Sequence, residues 1–224
     1  MKKQVQHTQL CFATGIYQSR ISLASGKLKA FLQELEVDIF SLSEQDRKGQ
    51  KWSEENYQNG YTSYSSYDRL DLMTDSFTRL RTYIDQHLAQ YLRDLEYNCK
   101  IQDLTMTQCW ANVMFSHAVH TSHIHPNSMI SGTFYVSVPT GASPIQFEDP
   151  RLGFFMNAPN VKASAPSKKQ RFYKIFSEPG DLVIFESWLR HEVPLMKALN
   201  SKKTGQKVQN EEPRISISFN YGRK

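Results

Sequence analysis

The spacing of apolar residues along the chain changes once, from helical to alternating. In "LASGKLKAFLQELEVDIF", Leu28, Phe31, Leu32, Leu35 and Ile39 recur at steps of three and four, which predicts an amphipathic helix with Ser25 as its N-cap. From Thr74 to Tyr97, Phe77, Leu80, Ile84, Leu88, Tyr91 and Leu95 fall on one stripe, a second helix capped by Thr74 or Asp75. The segment 41–68 between them has no period and is rich in Ser, Tyr, Gly and charge. It reads as a long loop whose tyrosines wrap the core. Two helices thus precede everything else.

After Cys99 the period becomes two. "MISGTFYVSV" sets Ile130, Gly132, Phe134, Val136 and Val138 on one face and Ser131, Thr133, Tyr135 and Ser137 on the other. Short β-like runs follow at 144–149, 171–178, 181–187 and 214–221, separated by Gly, Pro and Asn turns. The pattern predicts a mainly β fold, a sandwich or barrel with two helices packed outside. At 224 residues and 39% hydrophobic, the chain has material for one substantial core, so a single domain is expected over 1–224, helical over 1–99 and β-rich over about 100–224.

Charge changes the picture little. The net +5 collects in "SKKQR" (167–171) and "NSKKTGQK" (200–207), which read as solvated loops, with a nucleic-acid or acidic partner as the lesser reading. Cys11, Cys99 and Cys109 have no metal-ligand spacing, and an odd count argues against a disulfide framework. No stretch approaches a membrane span, and "MKKQVQHTQL" lacks the apolar core of a signal peptide, so a cytoplasmic protein without a membrane partner is expected. The segment at 200–210 is expected to be a mobile flap and, with the tyrosines at 57–67, to border the site.

The chemistry gathers in "HTSHIHPNSM". On an extended segment His123 and His125 point the same way, roughly 6–7 Å apart at Cα, and can share one metal. A third ligand is offered by His191 in "PGDLVIFESWLRHEVP", beyond a Pro-Gly turn and an apolar strand. Three facial ligands leave octahedral positions open, as a non-haem iron centre requires, although the usual triad contains a carboxylate. Asp149 or Glu148 in "FEDPR" is the alternative anionic ligand, with one histidine then standing behind the metal shell. His7, His87, His117 and His120 are assigned no ligand role. In "RISISFN", Arg214, Ser216, Ser218 and Asn220 share one face. An inward Arg214 needs an anion beside it, and with an adjacent hydroxyl it makes a natural carboxylate clamp.

These stretches, "HIHPNSMISGTFYV", "PIQFEDPR", "PGDLVIFESWLRHEVP" and "RISISFN", resemble the Fe(II)/2-oxoglutarate-dependent oxygenases. The likeness is greatest to a branch marked by His-x-His-Pro-Asn-Ser before Ser-Gly-x-x-Tyr, and it spans about 104–221. The resemblance implies a double-stranded β-helix (jelly-roll, cupin-like) core. It also implies Fe(II), 2-oxoglutarate as co-substrate, O2, and oxidation of a substrate with release of succinate and CO2. Carried over, it makes His123 the proximal ligand, His191 the distal ligand, and Arg214 with Ser216 the clamp on the far carboxylate. Asn112, eleven residues before His123, is similar to an asparagine that touches the oxoacid in the nucleic-acid dealkylating branch, and Tyr135 to a co-substrate tyrosine of prolyl hydroxylases. His125 is the departure from the pattern. A three-His cupin-type dioxygenase that does not use 2-oxoglutarate, or a metal-free β-barrel binding module, are the competing readings. The substrate is expected to be a small molecule or a protein side chain.

Overall fold

The computed structural model describes residue 8, residues 11–197 and residues 211–224. In chain order the elements are β1 (Ile16–Arg20), α1 (Ser25–Gln45), α2 (Arg47–Asn56), β2 (Gly60–Thr62), α3 (Asp75–Asp94), β3 (Leu104–Met114) and β4 (His120–His123). They continue with β5 (Ile130–Ser137), β6 (Ile145–Glu148), β7 (Phe172–Ile175), β8 (Asp181–Glu186), β9 (His191–Val193) and β10 (Arg214–Arg223).

The strands form two antiparallel sheets, a major one in the order β1-β8-β5-β10-β3-β2 and a minor one in the order β4-β9-β6-β7. The expected alternation decides which way each side chain looks. Phe134, Leu182, Ile184, Ile215, Ile217 and Phe219 pack outward against Phe31, Leu35 and Ile39 of α1 and Phe77, Leu80, Ile84 and Leu88 of α3. Tyr135, Val183 and Phe185, on the other face of the major sheet, meet Ile145, Phe147 and Ile175 of the minor sheet. The result is a jelly-roll sandwich with a helical layer on one side, as the pattern predicts. Burying side chains on both faces of β5 and β10 leaves the polar face of β10 enclosed between the sheets rather than in water.

Three expectations change. The segment 41–68 is not one long loop, because α1 runs on to Gln45, α2 follows and β2 closes it. Helix α2 was invisible to an apolar period because it buries the small residues Gly49 and Ser53, not large ones. It is held by Asp46, whose buried carboxylate accepts from Gly49 N (2.8 Å) and Tyr61 Oη (2.8 Å). The expected wrapping by tyrosines holds for Tyr57 and Tyr61, both buried. The helices do not precede every strand, since β1 comes first and pairs with β8 at the edge of the major sheet. Finally, α1 begins at Ser25 itself, with Ala24 in the cap position and no side-chain cap, whereas Thr74 does cap α3 by accepting from Phe77 N. The basic insertion at 200–210 lies outside the described residues. Among the described residues no helix is long and apolar enough to cross a membrane.

Candidate metal centre

Strand pairing assembles the histidines. His191 opens β9, between β4 and β6, with His123 and Phe147 as its direct partners. His125 lies beyond the end of β4, where its backbone N–H donates to Ser187 O (3.0 Å) and a turn through Asn127, at φ +66°, follows. The rings of His123 and His191 are 4.3 Å apart at their centroids, His123 and His125 5.0 Å, and His125 and His191 5.1 Å. The ligand atoms of all three lie within 4.8 Å of one another.

Tautomers follow from the neighbours. His123 Nδ1 lies 2.7 Å from Thr121 O and His191 Nδ1 lies 2.9 Å from Leu189 O. A carbonyl only accepts, so both Nδ1 atoms carry the proton and both Nε2 lone pairs are free for a metal. Burial, with the charge of His123 added, drives the basicity of His125 down to about 4 and that of His191 down to about 2. Burial lowers His123 as well. Three convergent imidazoles, two of them with the outer N–H fixed on a carbonyl, are a donor set that a divalent transition metal takes, so these residues fit the iron that the sequence resemblance implies.

The cavity under the histidines brings in three more of the expected residues, Asn112, Arg214 and Ser216. Its lining includes Asn112, Met114, Arg214, Ser216 and Ser218 with the three imidazoles. Arg214 is 2% exposed, and its Nη1 contacts Met114 Sδ (3.6 Å) and Ser216 Oγ (3.3 Å). Its guanidinium carbon lies 5.0 Å from the centre of the Tyr135 ring. Among the described residues no carboxylate pairs with Arg214. Among the described residues the buried hydroxyls of Tyr57 and Tyr135 have no hydrogen-bond partner of good geometry, and burial pushes both phenols up in pKa against the opposing pull of the Arg214 charge. A buried cation and the orphaned Tyr57 hydroxyl on the wall of one cavity, with the Tyr135 ring against the cation, have the makeup of an anion site.

The other expected residues fall differently. Asn112 lies on the cavity wall, but its amide is engaged at both ends, accepting from Thr62 Oγ1 (3.0 Å) and donating to Ser218 Oγ (3.1 Å). Asp149, the alternative ligand, closes on Arg151 instead, at 2.8 and 2.9 Å, which holds its carboxyl below the usual range. Neither Asp149 nor Glu148 is among the residues whose ligand atoms converge.

Sequence reasoning missed Tyr57 and Trp110, which line the site, and set aside His120, which stacks on His123 and meets the Tyr57 ring edge-on at 5.4 Å. Only the tyrosine-rich composition of 57–67 hinted at the first. For His120 no signal existed, because an ideal strand turns residues three apart to opposite faces.

A family model described as "Putative 2OG-Fe(II) oxygenase" matches residues 108–220. No curated protein matches the sequence. Among solved structures, HygX from Streptomyces hygroscopicus with nickel and 2-oxoglutarate bound is similar at 15% identity and TM-score 0.56, covering 94% of this chain and 84% of that one. The epimerase SnoN, in complex with Fe3+, alpha ketoglutarate and nogalamycin RO, is 14% identical at TM-score 0.57, covering 94% and 79%. A Pseudomonas putida prolyl-4-hydroxylase is 12% identical at TM-score 0.54, covering 94% of each chain. These likenesses place the fold, and the family match spans half of the chain and every histidine of the cluster: the chain belongs to the 2OG-Fe(II) oxygenases, oxidoreductases that work with iron, 2-oxoglutarate and O2.

Proposed function

We propose that the chain is a single-domain dioxygenase that hydroxylates or otherwise oxidises a small molecule, with release of succinate and CO2. His123, His125 and His191 would hold the iron. Arg214 and Ser216 would bind the far carboxylate of 2-oxoglutarate, with the hydroxyls of Tyr57 and Tyr135 as further donors. When bound, the iron supplies the activation of O2 and the oxidation of the substrate.

The observation that carries this reading is Arg214. A guanidinium 2% exposed, with no carboxylate partner among the described residues, is costly to bury unless an anion joins it. The sheets have put it in the cavity beneath three imidazoles. The remaining side chains bind, orient and exclude. Ser216 sits between Asn112 and Tyr135 in the strand register, so its hydroxyl and the Tyr135 ring fix the guanidinium on two sides. Phe185 and Phe147 pack against the His191 ring at 4.6 and 5.9 Å and keep water from that flank.

A small molecule is the substrate class that fits best. HygX has been solved with hygromycin B bound and SnoN with nogalamycin RO, both on this fold. The single domain is supported by the core that α1 and α3 share with the major sheet. A reducing cytoplasm accords with Cys11, Cys99 and Cys109, all free thiols.

The all-imidazole donor set favours one second reading, a three-His dioxygenase that needs no oxoacid. Anaerobic titration with Fe(II) and then 2-oxoglutarate separates the two. The proposal expects a metal-to-ligand charge-transfer band that saturates at one oxoacid per chain, and slow succinate formation once air is admitted. Iron binding with neither band nor succinate would select the second reading.

A further inference from the structure

Beside the inner cavity lies a second cleft whose makeup differs from it. The two share Tyr57, Trp110, His120, His123 and His125, but Arg214 and Ser216 line only the inner one. The outer cleft is walled by Trp52, Tyr64 and Trp110, with Tyr64 edge-on to Trp110 at 5.1 Å and Trp110 5.7 Å from His125. Trp52 and Tyr64 are 36% and 44% exposed, so their rings are open to a visitor. Trp52 lies on α2 and Tyr64 just beyond β2, both outside the segment that the family model matches.

Two properties narrow what the cleft can take. No Asp, Glu, Lys or Arg lines it. A phosphate or carboxylate would find no side-chain counter-charge there, and an ammonium group would face the metal-binding end unpaired. Size points the same way: the cleft holds about 170 Å³, and an apolar cavity of roughly 150 Å³ is enough for benzene. One uncharged ring fits, stacked on Trp52 or Tyr64, with the rest of its molecule outside.

The polar wall gives that ring an edge. Gln108 Nε2 donates to the Asp68 carboxylate (3.3 Å), so its Oε1 accepts from Asn220 Nδ2 (2.8 Å), and Asn220 Oδ1 accepts from Ser131 Oγ (2.7 Å). This chain of bonds fixes both amides and leaves each amide nitrogen a second N–H. The wall therefore offers donors, and a ring that suits it carries acceptors.

We infer that this cleft is the primary-substrate subsite and that it takes an uncharged heteroaromatic ring with acceptor atoms on its edge. The inference rests on the proposed function for the identity of the neighbouring cavity, and it deepens that reading by naming the substrate class.

The test is equilibrium binding, read without turnover. The chain has three tryptophans, two of them in the cleft, so Trp188→Phe leaves Trp52 and Trp110 as the reporters. Ni(II)-loaded protein with 2-oxoglutarate is titrated with caffeine and with cytidine, two uncharged rings whose edges carry acceptors. Toluene, a ring without an acceptor, and methyl glucoside, a polyol without a π face, are the contrasts. Saturable quenching by caffeine or cytidine, at least five-fold tighter than by either contrast and weakened about five-fold or more by Trp52→Ala or Tyr64→Ala, is expected from the loss of one stacking partner. No quenching at millimolar caffeine and cytidine, equal binding of toluene or methyl glucoside, or indifference to both substitutions would overturn it. Loss of 2-oxoglutarate binding, followed separately by the charge-transfer band of the Fe(II) protein, would count against the proposed function alone, because the ring titration can be run with nickel only.

Discussion

The imidazole of His120 lies flat against that of His123, with ring centroids 4.4 Å apart and planes inclined by 14°. The strand register explains how residues three apart come to share a face. His120 pairs with Val193 and His123 with His191, so three steps on β4 oppose two on β9, and the extra residue is a β-bulge that turns His120 inward. The stack fixes the orientation of His123 from behind while Thr121 O holds its Nδ1.

His120 is thus expected to support a ligand without being one. His120→Phe keeps a flat ring in the stack and should retain one metal per chain, and His120→Ala should cost about 10-fold in metal affinity, the low end for groups that orient a ligand. His123→Ala and His191→Ala should each abolish stoichiometric binding. Metal analysis after dialysis reads all four; a His120→Phe protein that emerges metal-free would make His120 a ligand itself.

Acid should unfold the metal-free protein early. In the unfolded chain each histidine titrates near 6.5, whereas burial holds His125 at about 4 and His191 at about 2 in the fold. Below pH 6.5 the unfolded chain therefore binds protons that the native state refuses, and stability falls as the pH falls from 6.5 toward 4. Above 6.5 this contribution is fully present and flat. For a group as buried as His191, the slope is about 1.4 kcal/mol per pH unit. Thermal melts of the apo protein from pH 8 to 4.5 read the slope. The share of metal affinity set by His125 and His191 should meanwhile change little between pH 8 and 6, because both are already neutral there; a steep loss near 6.5 in the residual affinity of a His123→Ala protein would show that they are not.

Arg214→Met should weaken 2-oxoglutarate binding by roughly 2–5 kcal/mol while Fe(II) binding survives. Ser216→Ala should cost less, about 1.5–3 kcal/mol, as one hydrogen bond to a charged group. The charge-transfer titration measures both.

Tyr57→Phe makes a sharper distinction. Its hydroxyl has no partner among the described residues, so removing it should leave thermal stability unchanged or slightly higher. Affinity for 2-oxoglutarate should nonetheless drop several-fold. A drop in stability with unchanged oxoacid affinity would mean that the hydroxyl serves the fold.

Gly132→Ala should damage the sandwich without touching the histidines. A Cβ there would stand 2.4 Å from Phe219 Cζ and 2.7 Å from Val183 O, and the carbonyl belongs to a paired strand that cannot retreat. Overpacking of this kind costs about 1–3 kcal/mol, read as a lowered denaturation midpoint.

Much of the site was written in the sequence because the period-two rule is local. The alternation in "RISISFN" was enough to put Arg214 and Ser216 on one face, and that in "MISGTFYVSV" to put Tyr135 on the face opposite Phe134. Burial on both faces, seen in β5 and β10, is what turned those polar faces inward. The stripes of α1 and α3 were legible for the same reason, since an apolar face must find a core to cover.

What the sequence could not decide depends on partners distant in the chain. Whether His125 or Asp149 joins His123 and His191 turned on where Ser187 O anchors the turn after β4 and on Arg151 taking the Asp149 carboxylate. His120 is turned inward by a one-residue mismatch between two strands some seventy positions apart, and no window of sequence contains it. Trp52 enters the site on a helix that buries glycine and serine, and Tyr57 at the C-cap of that helix, so its apolar signal is absent where its role is largest. Periodicity is a property of one strand or helix. Register, bulges and the pairing of charges belong to two, and they settle which of the expected donors actually meet.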